Sequence, residues 1–512
     1  MSTMPVNPII PGYAPDPSIV LVDGTYFLVN SNFHAFPGLP IYVSEDLISW
    51  KQIGNALNRR EQMSLKETDT LLYPQKTGSV LLATGGLYAP TIRHHNGTFY
   101  IVCTNVLHEG PTAEKDRCEN FILSTTDIWN SKWSDPVYFE FRGIDPSLLF
   151  DDDGRVYVHG SRGPGPGTTI NQFELDVKTG KKLSEEKTIW KGTGGIYPEG
   201  PHIYKKDGWY YCMISEGGTH ENHMITVARS KDVWGPYEAN PNNPILTARG
   251  TDEYIQYTGH CDCFQDKKGE WWGVCLGVRK DKQGRFIMGR ETFLTKCSWP
   301  EGDWPKFERV PNNPGGLTRQ ASVPGLTAAP MADYIYFRDV DLSRFSWSDE
   351  ENVMIRGGPV DMTDKYESPA LVGKRQRKLD GATSATCRPK SGSWAANVKA
   401  GLASYKDEHR FVRIYYDTSA GAIAYELKNL AKKIHKTSQT SVEEPGSIKL
   451  TIEYEESQYR LLYKIGSGDE VCLGTIDTIE LTGPDFVGPV VGPFVVTGGE
   501  DFEVEFRDLQ VD

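Results

Sequence analysis

Asp23-Gly24-Thr25-Tyr26-Phe27 combines a tight turn with the start of an aromatic strand, and four similar runs follow along the chain. Asp-Gly and Asn-Gly between apolar runs favour β-hairpins, because both turn residues adopt positive φ at little cost. The five glycines are 73, 57, 54 and 61 residues apart, so each run predicts one hairpin of a long repeat. The other four runs are Asn96-Gly97-Thr98-Phe99-Tyr100, Asp153-Gly154-Arg155-Val156-Tyr157, Asp207-Gly208-Trp209-Tyr210-Tyr211 and Lys268-Gly269-Glu270-Trp271-Trp272.

The repeats predict an all-β chain of two domains. Repeats of this length that are rich in short strands are typical of a radial β-propeller with one blade per repeat. We therefore predict a five-bladed propeller over residues 1–315, followed by a connector rich in Pro and Gly. Residues 331–512 are predicted to form a β-sandwich, because alternating apolar and polar residues indicate half-buried strands.

Four segments of the second domain show this alternation, and one segment suggests a helix. Tyr425–Lys433 has the composition of a short helix. The predicted strands are Phe411–Tyr416, Ser447–Tyr454, Tyr459–Lys464 and Phe502–Arg507.

Chemically potent side chains recur at one position of the repeat. The residues eight or nine places before the five glycines are Asp16, Ala89, Asp145, Glu199 and His260. Because the innermost strands of a propeller start at the same end of the central channel, these residues are predicted to meet in one pocket. An acidic residue before a strand is also a common turn former. Four polar residues at the same repeat position favour the shared site.

Three carboxylates in one channel suit the cleavage of glycosidic bonds. Such a site can hold one protonated acid, one ionised base and a third group that tunes them. No Gly-x-x-x-x-Gly-Lys-Ser/Thr, Gly-x-Ser-x-Gly or His-Glu-x-x-His run occurs, so the usual phosphate-binding, serine hydrolase and zinc protease motifs are absent from the sequence.

Composition excludes several classes of partner. The net charge of −13 argues against nucleic acid, whose binding depends on neutralising phosphates. No run of 18 apolar residues predicts a membrane span, and the first residues lack the pattern of a signal peptide. We therefore expect a cytoplasmic protein or a secreted one whose leader has been removed. The nine cysteines include no Cys-x-x-Cys pair, and nothing in the sequence specifies an oligomeric state.

Longer runs extend these features to a known family. The sequence resembles glycoside hydrolase family 43, the five-bladed propeller enzymes that include β-xylosidases and α-L-arabinofuranosidases. The similarity continues past residue 330 into the concanavalin-like β-sandwich that follows the propeller in a large branch of the family, at Ala400–Ala403 and Asp407–His409. The propeller runs that carry it are Tyr13–Ser18, Phe36–Tyr42, Tyr88–Ile92, Asp145–Leu148, Tyr197–His202, Gly259–His260 and Gly289–Phe293.

The resemblance implies a role for each carboxylate. Asp16 matches the general base that activates water, and Glu199 matches the general acid that protonates the leaving oxygen. Asp145 matches the carboxylate that raises the pKa of the acid and orients it. Because the family inverts the anomeric centre, the carboxyl groups of Asp16 and Glu199 are expected to lie about 6.5–9.5 Å apart.

The resemblance also implies residues that bind the sugar. Arg279 matches an arginine that binds sugar hydroxyls beside the carboxylates, and Phe33 and Tyr88 are expected to contact the substrate. His260 matches a channel histidine that holds a calcium ion or an ordered water in some members; the chemistry itself requires no cofactor. Tyr88 stands where the family often has Trp, and His34 where it often has an acid, which is expected to affect sugar preference.

The predicted function is that of an exo-acting, inverting glycosidase that releases xylose, arabinose or both from xylo-oligosaccharides or arabinoxylan. β-Xylosidase activity accompanied by α-L-arabinofuranosidase activity is favoured over a debranching α-L-arabinofuranosidase alone. A non-catalytic carbohydrate-binding propeller is disfavoured because all three carboxylates are present. A sucrose- or fructan-cleaving relative would begin with Asn-Asp-Pro-Asn-Gly, which this chain lacks.

Overall fold

The computed structural model describes residues 3–75 and 78–512, and within them it contains strands and short 3-10 turns but no α-helix. No helix of this part of the chain has the length and apolar character needed to span a bilayer. The 3-10 turns are Arg60–Gln62, Ala113–Lys115, Ile128–Asn130, Pro314–Gly316, Leu342–Arg344, Leu430–Lys432 and Thr478–Glu480.

Five antiparallel sheets in the described residues are the blades of a propeller, as predicted, and their innermost strands contact one another in a closed ring. Each predicted Gly turn joins the first two strands of a blade, and all five glycines have φ between 71° and 84°. Blade I contains Ser18–Val22, Thr25–Val29, Gly38–Ser44, Trp50–Leu57 and Leu326–Ala328, which is added in parallel; blade II contains Gly86–His95, Thr98–His108, Asp116–Thr125 and Val137–Phe139; blade III contains Gly143–Phe150, Val156–Arg162, Thr169–Asp176, Lys181–Lys182 and Lys187–Trp190; blade IV contains Glu199–Lys206, Trp209–Glu216, Met224–Ser230, Glu238–Ala239 and Leu246–Thr247; blade V contains Ile255–Gln265, Trp271–Arg279, Glu291–Ser298 and Lys306–Phe307.

The segment before blade I closes the ring against blade V. Ile10 forms a bridge with Thr292, and the side chain of Asn7 exchanges two hydrogen bonds of 2.8 Å with the backbone of Leu294. Further out, Thr3–Met4 pairs with Arg319–Gln320. The first and last blades are therefore joined by backbone pairing rather than by side-chain contacts alone.

The second half of the chain forms the predicted β-sandwich, and all four predicted strands are present. The predicted helix at residues 425–433 is wrong: these residues lie in a strand that ends at Asn429 and in the 3-10 turn after it. Strands on both sides pair with this strand, so tertiary pairing overrides its local helix preference. One sheet contains Ile434–Ser441, Ala422–Asn429, Arg410–Asp417, Val398–Asp407, Val490–Thr497, Gly373–Arg375, Tyr334–Phe337 and Ala35–Phe36; the other contains Phe345–Asp349, Asn352–Arg356, Glu503–Val511, Gly381–Pro389, Ile448–Tyr454, Gln458–Ile465 and Val471–Asp477; a separate hairpin contains Thr70–Pro74 and Val80–Thr84.

Propeller and sandwich share a sheet. Ala35–Phe36, which lies between the second and third strands of blade I, pairs with Tyr334–Phe337 at the edge of the eight-stranded sheet. Next to this edge, Arg338 and Glu408 form an ion pair of 2.8 Å, and both side chains are fully buried. Glu408 also accepts a hydrogen bond of 2.5 Å from the backbone N–H of Thr70. Removing one partner from a buried ion pair is strongly destabilising, because it leaves an uncompensated charge. This cluster therefore holds the two domains in one relative position.

His34 lies in the same interface and not in the pocket. Its ring is fully buried between Phe337, at 5.1 Å, and Tyr405, at 6.2 Å, both from the sandwich. Burial and the neighbouring charge of Arg338 hold the pKa of His34 well below its usual value. His34 is therefore a neutral packing residue between the domains, and its expected effect on sugar preference stays a prediction.

Candidate active site

The predicted site residues lie in or just before the innermost strands, at points where the backbone is irregular. Asp16, Asp145 and His260 have φ of 50°, 54° and 46°, a region that costs an L-residue about 1–2 kcal/mol. The pairing register of the inner strands of blades III, IV and V shifts at Asp145, Glu199 and His260. A β-bulge re-aims a side chain. The same local distortion thus turns these side chains toward the channel.

Asp16 is buried and held by contacts from three directions. Ser31 Oγ donates a hydrogen bond of 2.6 Å to Asp16 Oδ2. The other oxygen, Oδ1, lies 3.7 Å from Arg290 Nη1 and 3.9 Å from His260 Nδ1. His260 is in turn fixed by its backbone N–H, which donates to Ser215 Oγ at 2.8 Å. The carboxylate of Asp16 therefore has one defined orientation.

Asp145 interacts electrostatically with both of the other carboxyl groups. The backbone N–H of Gly200 donates a hydrogen bond of 2.9 Å to Asp145 Oδ2, which ties this side chain to the strand that begins at Glu199. Burial raises the pKa of Asp145 to about 6; the charge of His260 opposes this rise, and that of Asp16 adds to it. Asp145 is thus close enough to respond to both ends of the site.

Glu199 is the carboxyl group best suited to carry a proton. The residue is only partly exposed to solvent. Burial and the negative charge of Asp145 raise the pKa of Glu199 well above its usual value, while the charge of Arg290 opposes the rise. A carboxylic acid that stays protonated near neutral pH can donate its proton to a leaving oxygen.

Three aromatic rings form one wall of the site. Phe33 lies 5.0 Å from Tyr88, edge to face, and 5.6 Å from Phe486, in a stacked arrangement. Phe486 comes from the sandwich, and the guanidinium of Arg290 lies 4.4 Å above its ring. Phe33 and Tyr88 therefore lie together, and their expected contact with the substrate stays a prediction. The sandwich thus contributes one ring, that of Phe486, to the pocket wall.

A buried ion cluster fixes the loop that carries Phe486. Lys406 Nζ donates to Asp485 Oδ2 at 2.7 Å, and Arg410 pairs with the same oxygen. Burial raises the pKa of Asp485, but the charges of Lys406 and Arg410 outweigh this and lower the pKa below its usual value. On the other side of the loop, Leu82 donates its backbone N–H to the carbonyl of Pro484 at 2.9 Å. Phe486 is thus anchored to both domains.

The arginine beside the carboxylates is Arg290. Its Nη2 donates to Thr219 Oγ1 at 2.6 Å, which leaves Nη1 facing Asp16. Arg279, predicted for this role, instead makes two hydrogen bonds of 2.8 Å to the buried carboxylate of Glu291. These contacts do not support sugar binding by Arg279. Arg290 stood in one of the runs that carried the family resemblance, but Phe486 had no signal in the sequence.

The surroundings of His260 do not form a metal site built from protein ligands. In residues 3–75 and 78–512, no three His, Cys, Asp or Glu side chains lie together in a way that could hold a metal ion. Calcium takes six to eight oxygen ligands, and an imidazole supplies none. The calcium implied for His260 stays a prediction, and no step below depends on it.

Fold and site together define a glycoside hydrolase: three carboxyl groups with different surroundings share one pocket with an arginine and an aromatic wall. The chain belongs to the glycosyl hydrolases of family 43, whose family model matches residues 5–305. Residues 338–511 match the β-xylosidase C-terminal concanavalin A-like domain. The predicted family and fold class are thereby confirmed.

Characterised relatives carry more than one activity in their names. The chain is 32% identical to a non-reducing end α-L-arabinofuranosidase of Bacteroides ovatus, over 96% of this chain and 90% of that protein. It is 42% identical to a xylosidase/arabinosidase of Butyrivibrio fibrisolvens, over 58% of this chain and 55% of that protein. Among solved structures, a xylan β-1,4-xylosidase of Bacillus halodurans superposes with a TM-score of 0.85 at 28% identity, with 98% of each chain covered.

Proposed function

We propose that the protein is an exo-acting, inverting glycoside hydrolase that releases xylose and arabinose from the ends and branches of xylan or arabinoxylan fragments. The observation that carries the proposal is the grouping of Asp16, Asp145 and Glu199 in one pocket, each with different hydrogen-bond partners and charges around it. No nucleic acid or membrane partner is part of the proposal.

Each carboxyl group has one task in this proposal. Asp16, held by Ser31, removes a proton from the attacking water. Glu199, whose pKa is raised, donates its proton to the glycosidic oxygen as the bond breaks. Asp145 keeps that pKa high and is tied to the strand of Glu199 by Gly200. The water attacks the face of the sugar opposite the leaving group, so the anomeric centre inverts, and no cofactor is needed.

Inversion sets a spacing that a crystal structure can measure. The base and the acid must leave room for a water molecule on the face opposite the leaving oxygen. We therefore propose that the carboxyl groups of Asp16 and Glu199 lie about 6.5–9.5 Å apart in the substrate complex. Retaining enzymes, whose second carboxylate attacks the sugar directly, have about 5–5.5 Å.

The aromatic wall supports exo action. Phe33, Tyr88 and Phe486 close one side of the site, and Phe486 is supplied by the sandwich. A site closed on one side accepts the end of a chain and excludes its middle. Arg290, directed at Asp16 and lying over Phe486, is placed to bind the hydroxyl groups of the terminal sugar.

The pocket can accept either of the two pentoses. β-D-Xylopyranose and α-L-arabinofuranose present similar hydroxyl patterns to a small pocket. Relatives are named for either activity or for both, including a xylan 1,3-β-xylosidase of Vibrio that is 36% identical over 60% of this chain. We favour β-xylosidase activity accompanied by α-L-arabinofuranosidase activity. Debranching α-L-arabinofuranosidase activity alone is the alternative.

A proton NMR time course on a branched arabinoxylo-oligosaccharide tests the proposal. Early appearance of α-xylose is expected, because inversion at a β-xyloside releases the α-anomer first. Early β-arabinose with an intact xylan backbone would identify the debranching alternative. Early β-xylose would contradict inversion, and the absence of any released pentose would contradict the proposed function.

The pH profile tests the coupling between Asp145 and Glu199. In Asp145→Asn, the alkaline limb of kcat/KM is expected to move to lower pH. The charge of Asp145 raises the pKa of Glu199, so its removal lowers that pKa, and the acid then loses its proton at a lower pH. The measurement is kcat/KM for a xyloside from about pH 4 to about pH 9. This range includes both the acid and the alkaline limb of the profile.

Asp153→Asn is the matched control, because Asp153 lies in the exposed hairpin turn of the same blade. Its alkaline limb is expected to coincide with that of the wild type. An alkaline limb that stays in place in Asp145→Asn, or moves to higher pH, would contradict the tuning role.

A further inference from the structure

The loop that leads into Glu199 is held by a carboxylate that takes no part in the proposed chemistry. Glu216 is fully buried at the end of the second strand of blade IV. It accepts hydrogen bonds from the backbone N–H of Thr193 at 3.0 Å and of Gly195 at 3.1 Å. The hydroxyls of Thr193 and Thr226 donate to it at 3.0 and 2.6 Å. Thr193 and Gly195 belong to the loop, whereas Thr226 lies in the third strand of blade IV, so the carboxylate ties the loop to the blade.

The glycines of this loop make its first residues costly to order without an anchor. Gly192 and Gly194 have φ of 72° and 101°, and glycine loses more conformational freedom on ordering than any other residue. A Cβ on Gly192 would lie 2.4 Å from an oxygen of Glu216, so the chain passes directly against the carboxylate. The anchoring is thus specific to this path of the backbone.

The anchored loop presents two apolar side chains at the rim. Ile196 is 50% exposed although most large apolar side chains of the chain are buried. Tyr197 lies two residues before Glu199 in the chain and has φ of 54°. Burial and the charge of Glu199 raise the pKa of Tyr197. A Cβ on Gly218 would lie 3.6 Å from the ring of Tyr197 and 3.9 Å from Ile196, so both flank one open spot.

Two further backbone hydrogen bonds set the position of this pair. The N–H of Gly217 donates to the carbonyl of Ile196 at 2.8 Å, and the N–H of Tyr197 donates to the carbonyl of Pro166 at 3.0 Å. Pro166 belongs to the Gly163–Gly167 run, which joins the second and third strands of blade III. Contacts from blades III and IV therefore order this rim. Ile196 and Tyr197, which carry its apolar surface, each make one of these hydrogen bonds.

We propose that Ile196 and Tyr197 form the platform for the leaving group, and that Glu216 is the positioning residue of that platform. This inference rests on the proposed function. The acid protonates the oxygen that joins the terminal sugar to the rest of the substrate, so groups beside Glu199 on the solvent side face the leaving sugar. Exposed apolar side chains pack against the C–H faces of a sugar ring, so the platform favours a pyranose unit of a xylan chain as leaving group.

The test compares two substrates that differ only in the leaving group. Xylobiose leaves a whole xylose unit, whereas β-D-xylopyranosyl fluoride leaves a single atom that cannot reach the platform. In Ile196→Ser, kcat/KM for xylobiose is expected to fall about tenfold, since loss of an apolar contact of this size costs that much. The value for the fluoride is expected to stay within about twofold of the wild type.

Glu216→Gln is expected to show the same selective loss, because the amide nitrogen cannot accept the hydrogen bonds of the loop. A merely structural role would lower the melting temperature and both activities together without changing their ratio. Leu183→Ser, at a side chain that is 53% exposed on blade III, and Glu185→Gln are the matched controls.

The outcomes separate the two proposals. A wild-type enzyme that hydrolyses both substrates, with a ratio that Ile196→Ser and Glu216→Gln leave unchanged, would overturn the platform alone. A wild-type enzyme that hydrolyses neither would overturn the proposed function and the platform with it. A selective loss on xylobiose in both variants, absent from both controls, supports the inference.

Discussion

Asp16→Asn is expected to reduce kcat/KM by about 10⁴-fold on every glycoside, whatever its leaving group. The amide keeps the size of the side chain and can still accept the hydrogen bond from Ser31, but it cannot take a proton from water. Since every substrate needs the attacking water, a better leaving group does not restore activity. Steady-state kinetics on xylobiose, an aryl xyloside and xylosyl fluoride measure the loss.

Asp23→Asn serves as the control for this variant. Asp23 occupies the exposed hairpin turn of the same blade, with φ of 48°, and Asn suits such a turn as well as Asp does. Wild-type activity is expected. If Asp16→Asn kept more than about one hundredth of the wild-type rate on any substrate, Asp16 would not be the base.

Glu199→Ala is expected to discriminate sharply between leaving groups. On xylobiose, whose leaving oxygen needs a proton, kcat/KM should fall by about 10³-fold or more. On an aryl xyloside with an acidic phenol, the loss should be about tenfold, because the leaving oxygen departs with little protonation. The raised pKa of Glu199 is what makes it the proton donor near neutral pH.

Glu185→Ala, at an exposed side chain on the outer part of blade III, controls for the loss of a glutamate. It should match the wild type on both substrates. Equal losses on xylobiose and the aryl xyloside in Glu199→Ala would remove Glu199 as the acid, and a larger loss on the aryl xyloside would contradict the mechanism outright.

The propeller was predictable because its signals are local and repeated. Asp-Gly and Asn-Gly turns specify hairpins through the backbone of two residues, and five such turns at similar spacing specify blades. The same repeat brings Asp16, Asp145, Glu199 and His260 together, since residues at one position of a radial repeat lie around one axis.

The rest of the site depends on contacts that the sequence repeat does not predict. Arg279 ends one strand of blade V and Arg290 directly precedes the next. Only the pairing of Arg279 with Glu291 shows which arginine is free to face Asp16. Phe486 lies in a loop of a different domain, and His34 is removed from the pocket by rings of that domain. These placements result from domain docking, which no local pattern of the sequence encodes.

Phe486 lines the pocket but belongs to a different domain from the catalytic carboxyl groups, so domain exchange can alter the pocket. Because Phe486, Asp485 and Lys406 all belong to the sandwich, one crossover in the connector exchanges one ring of the pocket wall together with the ion cluster that holds its loop. A chimera that joins this propeller to the sandwich of a relative would thus inherit catalytic carboxyl groups from one parent and part of its pocket shape from the other. Selectivity among pentoses can therefore change by domain exchange, without a single substitution in the propeller.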